Sequence, residues 1–284
     1  MDRSEKTRPG FLSILLSGIG LTMAGGLFWT ILSSMAPVED NLRLYPGQIP
    51  KPPQLTGFIS SLMPTHAWAD MLQSSRNSMS SIVVDDFDNI PSGSFPTQWK
   101  AWRGDDELAR NLYSVQEEEG NRYLKASDDG TSIIIRKEMD DWNPREFPIL
   151  SWRWRARVLP ENGDERIGEK NDSAVAVYVV LDQNFFRIPK TLKYVWSTTL
   201  PIGTEHRREG IGRPNVIVLE TGPGKLGEWV TESVNVYEDF IRNFGKKPPK
   251  SAIGIGVLTD GNATRTDSQG DYDDFVIHEN KDGS

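Results

Sequence analysis

The stretch PILSWRWRARVL, residues 148–159, alternates with a period of two. Leu150, Trp152, Trp154, Ala156 and Val158 fall on one face of an extended chain, and Ser151, Arg153, Arg155 and Arg157 on the other. A helix would scatter both sets around its circumference, so the segment is a strand with one apolar and one basic face. The same pattern continues from Ser81 onward. SAVAVYVVLD is a near-continuous apolar strand, and TSIIIRKEM, LKYVWSTTL, PNVIVLE, EWVTESVNV and SAIGIGVLTD are further strands. Turn signals such as Asp129-Gly130, Asn162-Gly163 and Asp260-Gly261 bound them, and GPGKLGE reads as a hairpin loop. About ten to twelve strands result. One short helix is expected in VYEDFIRNFG, stopped by Gly245 and Pro248. Many strands and scarcely any helix predict a mainly β fold, a sandwich or barrel.

The N-terminal region differs. Gly10 to Ser34 carries no charge, and roughly 20 apolar residues span a bilayer, so a single transmembrane anchor is expected over residues 11–35. Pro37 follows the small residue Ala36, which argues against cleavage there. Arg3, Lys6 and Arg8 precede the segment and Glu39 and Asp40 follow it. The positive-inside bias then places residues 1–10 in the cytoplasm and the folded domain outside a bacterial cytoplasmic membrane. Gly20 with Ala24, and Thr22 with Gly26, form small-xxx-small pairs that let membrane helices pack closely, although ordinary glycine usage in a span reads the same way. Residues 36–80 form an extended linker, with the proline-rich PGQIPKPPQ and a short apolar patch ending in Ala67-Trp68-Ala69. The β domain occupies residues 81–284.

Composition excludes several functions. The chain of 284 residues has a net charge of -8, which disfavours a nucleic-acid binder. It has no cysteine and three histidines, with no two at a metal-ligand spacing, so thiol chemistry is excluded and a zinc hydrolase disfavoured. No G-x-S-x-G, phosphate-binding loop or histidine triad is present.

GEWVTESVNVYEDFIRNFG, SAIGIGVLTDG and GDYDDFVIH follow one another as a Trp-led strand, a short helix with an Asp-Phe pair, an Ile-Gly-Ile-Gly strand and a terminal Asp-Asp strand. This order resembles the galactose-binding-like jelly rolls that include several carbohydrate-binding modules. More narrowly, Tyr123 to Ile277 resembles a bacterial domain-of-unknown-function family, number 3047. The resemblance implies a jelly-roll β-sandwich whose first and last strands lie side by side, commonly with a structural calcium ion where they meet. Asp85, Asp86 and Asp88 in SIVVDDFDN and Asp271, Asp273 and Asp274 in GDYDDFVIH would then supply its oxygens. Within the last strand Asp271 and Asp273 share a face and Asp274 takes the other. The same aspartates also read as strand-end turn residues.

Two sets of residues are candidates for a ligand surface. Arg153, Arg155 and Arg157 would grip an anion by bidentate contacts, or pair with acidic residues of neighbouring strands. Tyr178, Trp196, Trp99, Trp102 and Trp142 sit near polar neighbours and are candidate sugar platforms, whereas Trp152, Trp154 and Trp229 read as core. A glycosidase needs two carboxylates about 5–10 Å apart across a cleft. Pairs such as Asp182 with Glu220 can be drawn, but no motif supports one. The expectation is a non-catalytic, membrane-anchored extracytoplasmic protein. As an accessory subunit it would pack on integral membrane partners; as a carbohydrate-binding module it would hold an envelope or extracellular glycan.

Overall fold

The computed structural model describes residues 81–102 and 104–280. The anchor over residues 11–35, its Gly20, Thr22, Ala24 and Gly26, and the linker to residue 80 lie outside the described residues. No helix among the described residues is long and apolar enough to cross a membrane.

The described strands form two sheets. At the centre of the first is β13 (Ser268–His278), whose one edge takes β6 (Ile149–Val158) and then β11 (Val230–Asn235). Its other edge is shared. β4 (Asn121–Asp128), backed by β3 (Tyr113–Glu118), pairs with residues 268–272, and β1 (Ser81–Asp85) pairs with residues 275–278. First and last strands are thus antiparallel neighbours, with Ile82 opposite Ile277. The second sheet runs β2 (Lys100–Ala101), β5 (Ile135–Glu138), β12 (Gly254–Leu258), β7 (Val175–Gln183), β8 (Pro189–Ser197), β10 (Asn215–Thr221) and β9 (Glu205–Arg207). All its pairs are antiparallel except β8 with β10.

The alternation along β6 places Trp152 and Trp154 between the sheets, where Trp152 meets Tyr194 of β8 at 5.7 Å between ring centroids and Trp154 meets Trp196 at 6.4 Å. Trp152 Nε1 finds no hydrogen-bond partner among the described residues, but other buried aromatic polar atoms do. The Tyr272 hydroxyl accepts from the Ala176 N–H at 3.2 Å and donates to the Leu258 carbonyl at 2.7 Å. Trp196 Nε1 donates to the Gly222 carbonyl at 3.0 Å.

Two helices complete the described fold. The expected one, α2 (Val236–Phe244), is capped by the Asn235 side chain accepting from Glu238 N–H and ends on Gly245 in the left-handed region at φ 68. It buries Val236 and Phe240 and ties to the second sheet through the Tyr194 hydroxyl donating to Asp239 at 2.7 Å. The shorter α1 (Asp106–Leu112) buries Ala109 alone, so its apolar periodicity is too weak to read from sequence. GPGKLGE is not a hairpin loop: it leaves β10 in the second sheet and enters β11 in the first, crossing the sandwich edge.

A buried ion pair crosses between the sheets. Lys137 of β5 reaches out of the second sheet and donates to the Val84 carbonyl at 2.7 Å and to Asp85 Oδ2 at 3.1 Å, both on β1 of the first. Trp99 Nε1 donates to the same carboxylate oxygen at 2.9 Å, and the Phe87 N–H donates to the other. Each charge is therefore both paired and hydrogen-bonded, the condition under which a buried pair is tolerated. Removing one partner leaves the other charged and dry, so Lys137→Ala is expected to destabilise the domain by about 3–5 kcal/mol in chemical denaturation.

Candidate binding cleft

The outer face of the first sheet holds the arginine row, and acidic neighbours occupy it. Arg155 and Arg157 both donate through Nε to one oxygen of Asp271, at 2.7 and 2.5 Å. Arg155 also reaches Glu118 at 2.8 Å. Arg153 bonds Asp273 at 2.6 Å and Asp274 at 2.7 Å. The register explains the match, since Asp271 lies opposite Arg155 and Asp273 opposite Arg153 across β13 and β6. Trp229, expected in the core, instead lies half-buried on this face, with the Arg155 guanidinium 4.5 Å and that of Arg153 5.1 Å from its ring. It precedes β11 by one residue, so the strand's alternation does not place it. This face spends its cations on its own carboxylates, and of the two roles weighed for the arginines the geometry displays cross-strand pairing.

The six aspartates do not gather around one ion. Asp85 turns inward to Lys137 and Trp99, whereas Asp271 and Asp273 face outward to the arginines. The Asp86 side chain accepts from the Asp88 N–H, and Asp88 accepts from the Arg122 backbone. Asp274 reaches the same arginine as Asp273 rather than taking the opposite face, because a bulge between Asp273 and Val276 sets it at φ 50. Among the described residues no group of three or more His, Cys, Asp and Glu is placed to hold a metal. The donors therefore do not fit a calcium ion shared by the two strands.

The aromatic candidates separate by burial. Trp99, Trp142 and Trp196 are fully buried, so they are core and not platforms. Trp142 Nε1, like that of Trp196, is taken by a carbonyl, here that of Phe147 at 2.8 Å. Tyr178 and Trp102 are half-buried and line a cleft of about 1100 Å³ over the outer face of the second sheet.

Alternation builds this cleft. On β7 Val177 and Val179 go to the core and Tyr178 and Val180 to the cleft; on β8 Leu192 and Tyr194 go to the core and Thr191 and Lys193 to the cleft. Between β5 and β7 runs the Ile-Gly-Ile-Gly strand. A Cβ on Gly256 would stand 3.2 Å from both the Ile134 side chain and the Ile135 carbonyl, and one on Gly254 would collide with the Lys137 carbonyl. Glycine there lets β5 close on β12 and keeps the floor low. Trp102 closes one end, with the Arg136 guanidinium 4.9 Å from its ring. The neighbouring loops 184–189 and 208–214 form a rim.

Lys193 is the floor's buried cation. Its Nζ lies 3.3 Å from Ser173 Oγ and 5.6 Å from the Tyr178 ring. Behind it the fully buried Glu165 accepts from Ser173 and Ser197 at 2.8 and 2.7 Å. Burial opposes the lysine's charge, but Tyr178, Glu165 and Asp260 outweigh it and hold its pKa above the ordinary value. Burial drives Asp260 up to about 6, against the pull of Lys193 and helped by the charge of Asp172. None of these positions carries a sequence motif; only the fold brings them together.

Among the described residues no carboxylate pair lines the cleft. Asp182 and Glu220 lie opposite Lys190 and Trp196 of β8, about 20 Å apart along the strand, and are bound to different lysines, Asp182 to Lys246 and Glu220 to Lys225. Glu232, pushed up to about 7 by burial and by the charge of Glu220, accepts from Trp154 Nε1 at 3.2 Å and is outside the cleft lining.

Fold and site define a jelly-roll β-sandwich with an open cleft on one sheet. The chain belongs to the family described as "Protein of unknown function (DUF3047)", whose model matches residues 97–276. No curated protein matches it. Among solved structures it is similar to the family 11 carbohydrate-binding module of the cellulosomal cellulase Lic26A-Cel5E of Clostridium thermocellum, at 10% identity over 72% of this chain and 96% of that one, with a TM-score of 0.36. The endoglucanase 3 of Trichoderma harzianum, from family GH12, matches at 10% identity over 71% and 96%, with a TM-score of 0.37. The xyloglucanase domain of NopAA from Sinorhizobium fredii matches at 9% identity over 67% and 98%, with a TM-score of 0.35.

The shift of Asp260 has a measurable consequence. Its folded pKa of about 6 lies above the 3.8 of an unperturbed aspartate, so the native state holds the proton more tightly. The stability this contributes is present at low pH and is lost as pH rises through the interval between those values. Thermal midpoints followed from pH 4 to pH 7 should therefore fall more for the wild type than for Asp260→Asn. Parallel curves would show that Asp260 titrates normally.

Proposed function

We propose that this protein is a non-catalytic saccharide-binding module, and that the cleft of the second sheet is where the saccharide lies. The observation that carries the reading is the cleft itself, which places aromatic rings, amides and cations side by side on a strand floor and the loops around it. A pyranose presents apolar C–H faces and a rim of hydroxyls. Tyr178 on the floor and Trp102 at the end offer surfaces to the first, and Asn171, Asn262 and Thr191 hydrogen-bond the second. The absence of Asp and Glu from the described lining supports the non-catalytic side of the proposal, because glycoside hydrolysis uses two carboxylates at the scissile bond. The charge-free segment 10–34 supports tethering at the outer face of a bacterial cytoplasmic membrane.

One observation favours the second reading, an accessory subunit docked on a membrane partner. Phe185 and Phe186 are 95% and 78% exposed and Ile211 84%, all on the two neighbouring rim loops. The turn is built to present them, since Asn184 Oδ1 accepts from the N–H groups of Phe186 and Ile188. Native mass of the protein extracted from its membrane distinguishes the two, because a docked subunit travels with other polypeptides.

Affinity gels containing soluble polysaccharides test the first reading. Tyr178→Ala and Trp102→Ala are each expected to weaken retardation by about tenfold, the loss of one stacking surface. Retardation that neither substitution alters would place the saccharide elsewhere.

A further inference from the structure

Five basic side chains line the cleft, Arg136, Arg187, Lys193, Arg208 and Arg213, and no Asp or Glu among the described residues does. The chain as a whole is acidic, with a net charge of -8, so the lining reverses the sign of the molecule. Two of the five are already compensated. Arg136 pairs with Glu138 at 3.0 Å, and Glu165 and Asp260 balance Lys193 from behind the floor. The other three differ from the arginines of the first sheet. Among the described residues Arg187, Arg208 and Arg213 form no ion pair, although Glu169 and Asp260 act on Arg208 from a distance.

Arg208 and Arg213 stand on the same loop and repel one another. Arg208 is half-buried, and its pKa is held below the ordinary value first by that burial and then by the charge of Arg213. Gly210 brings the two together: its φ is +123, and a Cβ there would stand 3.3 Å from Arg213 Cγ, so the bare backbone lets the Arg213 stem fold back across the loop. Arg208 Nη1 lies 3.4 Å from where Gly168 would carry a Cβ, against the 3-10 turn Gly168–Lys170. Two like charges held at a cleft wall without a counter-ion cost free energy that a bound anion returns. Guanidinium forks match the geometry of carboxylate and phosphate oxygens.

We propose that the cleft selects an anionic saccharide, and that Arg208 and Arg213 hold its carboxylate or phosphate group. The proposal rests on the saccharide-binding reading and adds its charge. Arg187, on the neighbouring rim loop, supplies a further positive charge to the same polymer. Sugar rings lie along Tyr178 while the acidic substituent points to the 208–213 loop.

The test uses the full chain in mild detergent on affinity gels that contain polygalacturonate, a phosphomannan or a neutral β-glucan, at low and at raised salt. Retardation is expected with one of the two charged polymers, and which one it is identifies the oxyanion. It should weaken as salt rises, and R208Q and R213Q should each weaken it by about tenfold, the loss of a charge-assisted bidentate contact. R207Q, on β9 and outside the lining, should leave it unchanged. Arg208→Lys should keep the salt dependence while binding less tightly, because it retains the charge and loses the fork. Thermal midpoints of all variants exclude unfolding as the cause. Equal retardation by neutral glucan, untouched by the double variant R208Q/R213Q, would overturn the anionic proposal and leave saccharide binding standing. Retardation by none of the three polymers would overturn both.

Discussion

The fit of β13 against β6 governs what each face of this sandwich can do. Three arginines at alternate positions of one strand would make a sheet face unstable through mutual repulsion. β13 answers them with two carboxylates, Asp273 opposite Arg153 and Asp271 opposite Arg155 and shared with Arg157. Both aspartates are fully buried, and burial pushes both carboxyls up, Asp273 to about 7, against the opposing pull of the arginines. Meanwhile Tyr272, Phe275 and Ile277 of the same strand enter the core. One strand thus neutralises the outer face of the first sheet and fills the space beneath it. With its arginines so engaged, that face has little charge left to offer a ligand, and the open chemistry lies on the second sheet.

The two buried lysines show how the second sheet is held rigid enough to serve as a floor. Lys137 points inward and ties β5 to β1. Lys193 points to the cleft, yet its Nζ is held from beneath by Ser173, itself bonded to Glu165. Glu165 arrives from the loop after β6 and also accepts from Ser197 at the end of β8. Asp172, from the same loop, accepts from Ala263 and Thr264 and so fastens the segment after β12. A floor whose polar groups are satisfied from below has no reason to rearrange when a ligand arrives above it.

Much of the fold was legible because strands expose their periodicity. The alternation in PILSWRWRARVL placed Leu150, Trp152, Trp154 and Ala156 in the core and Arg153, Arg155 and Arg157 on the outer face, as the structure has them, and Gly245 and Pro248 marked the end of α2 at its true position. The pairing of first and last strands came from a resemblance, and the register bears it out. What alternation does not encode is which strand lies next to which. The arginines read as a ligand grip or as partners of acidic residues on neighbouring strands, and the terminal aspartates as an ion site or as turn residues; the register of β13 shows that the two sets answer each other. Trp196 and Trp229 exchanged roles for a similar reason. Each has polar neighbours in sequence, and burial is decided by the strand opposite. The cleft was legible only through Tyr178 and Trp102, because Arg187, Arg208 and Arg213 lie on loops that no period describes. The glycines of SAIGIGVLTD were a further signal, since alternate glycines in a strand remove side chains from one face and lower it into a trench.

The contrast in charge between the cleft and the chain bears on how an anionic polymer would approach. A net charge of -8 repels such a polymer at long range, but at physiological ionic strength charges are screened over about 8–10 Å. Beyond that distance the acidic surface has little influence, and within it the polymer meets the local field of Arg187, Arg208 and Arg213 between low-dielectric walls, where field lines concentrate. The acidic remainder then discourages adsorption at other places on the domain. An overall negative protein with one positive cleft discriminates by position: the same screening that weakens the repulsion leaves attraction only where guanidinium groups touch the ligand.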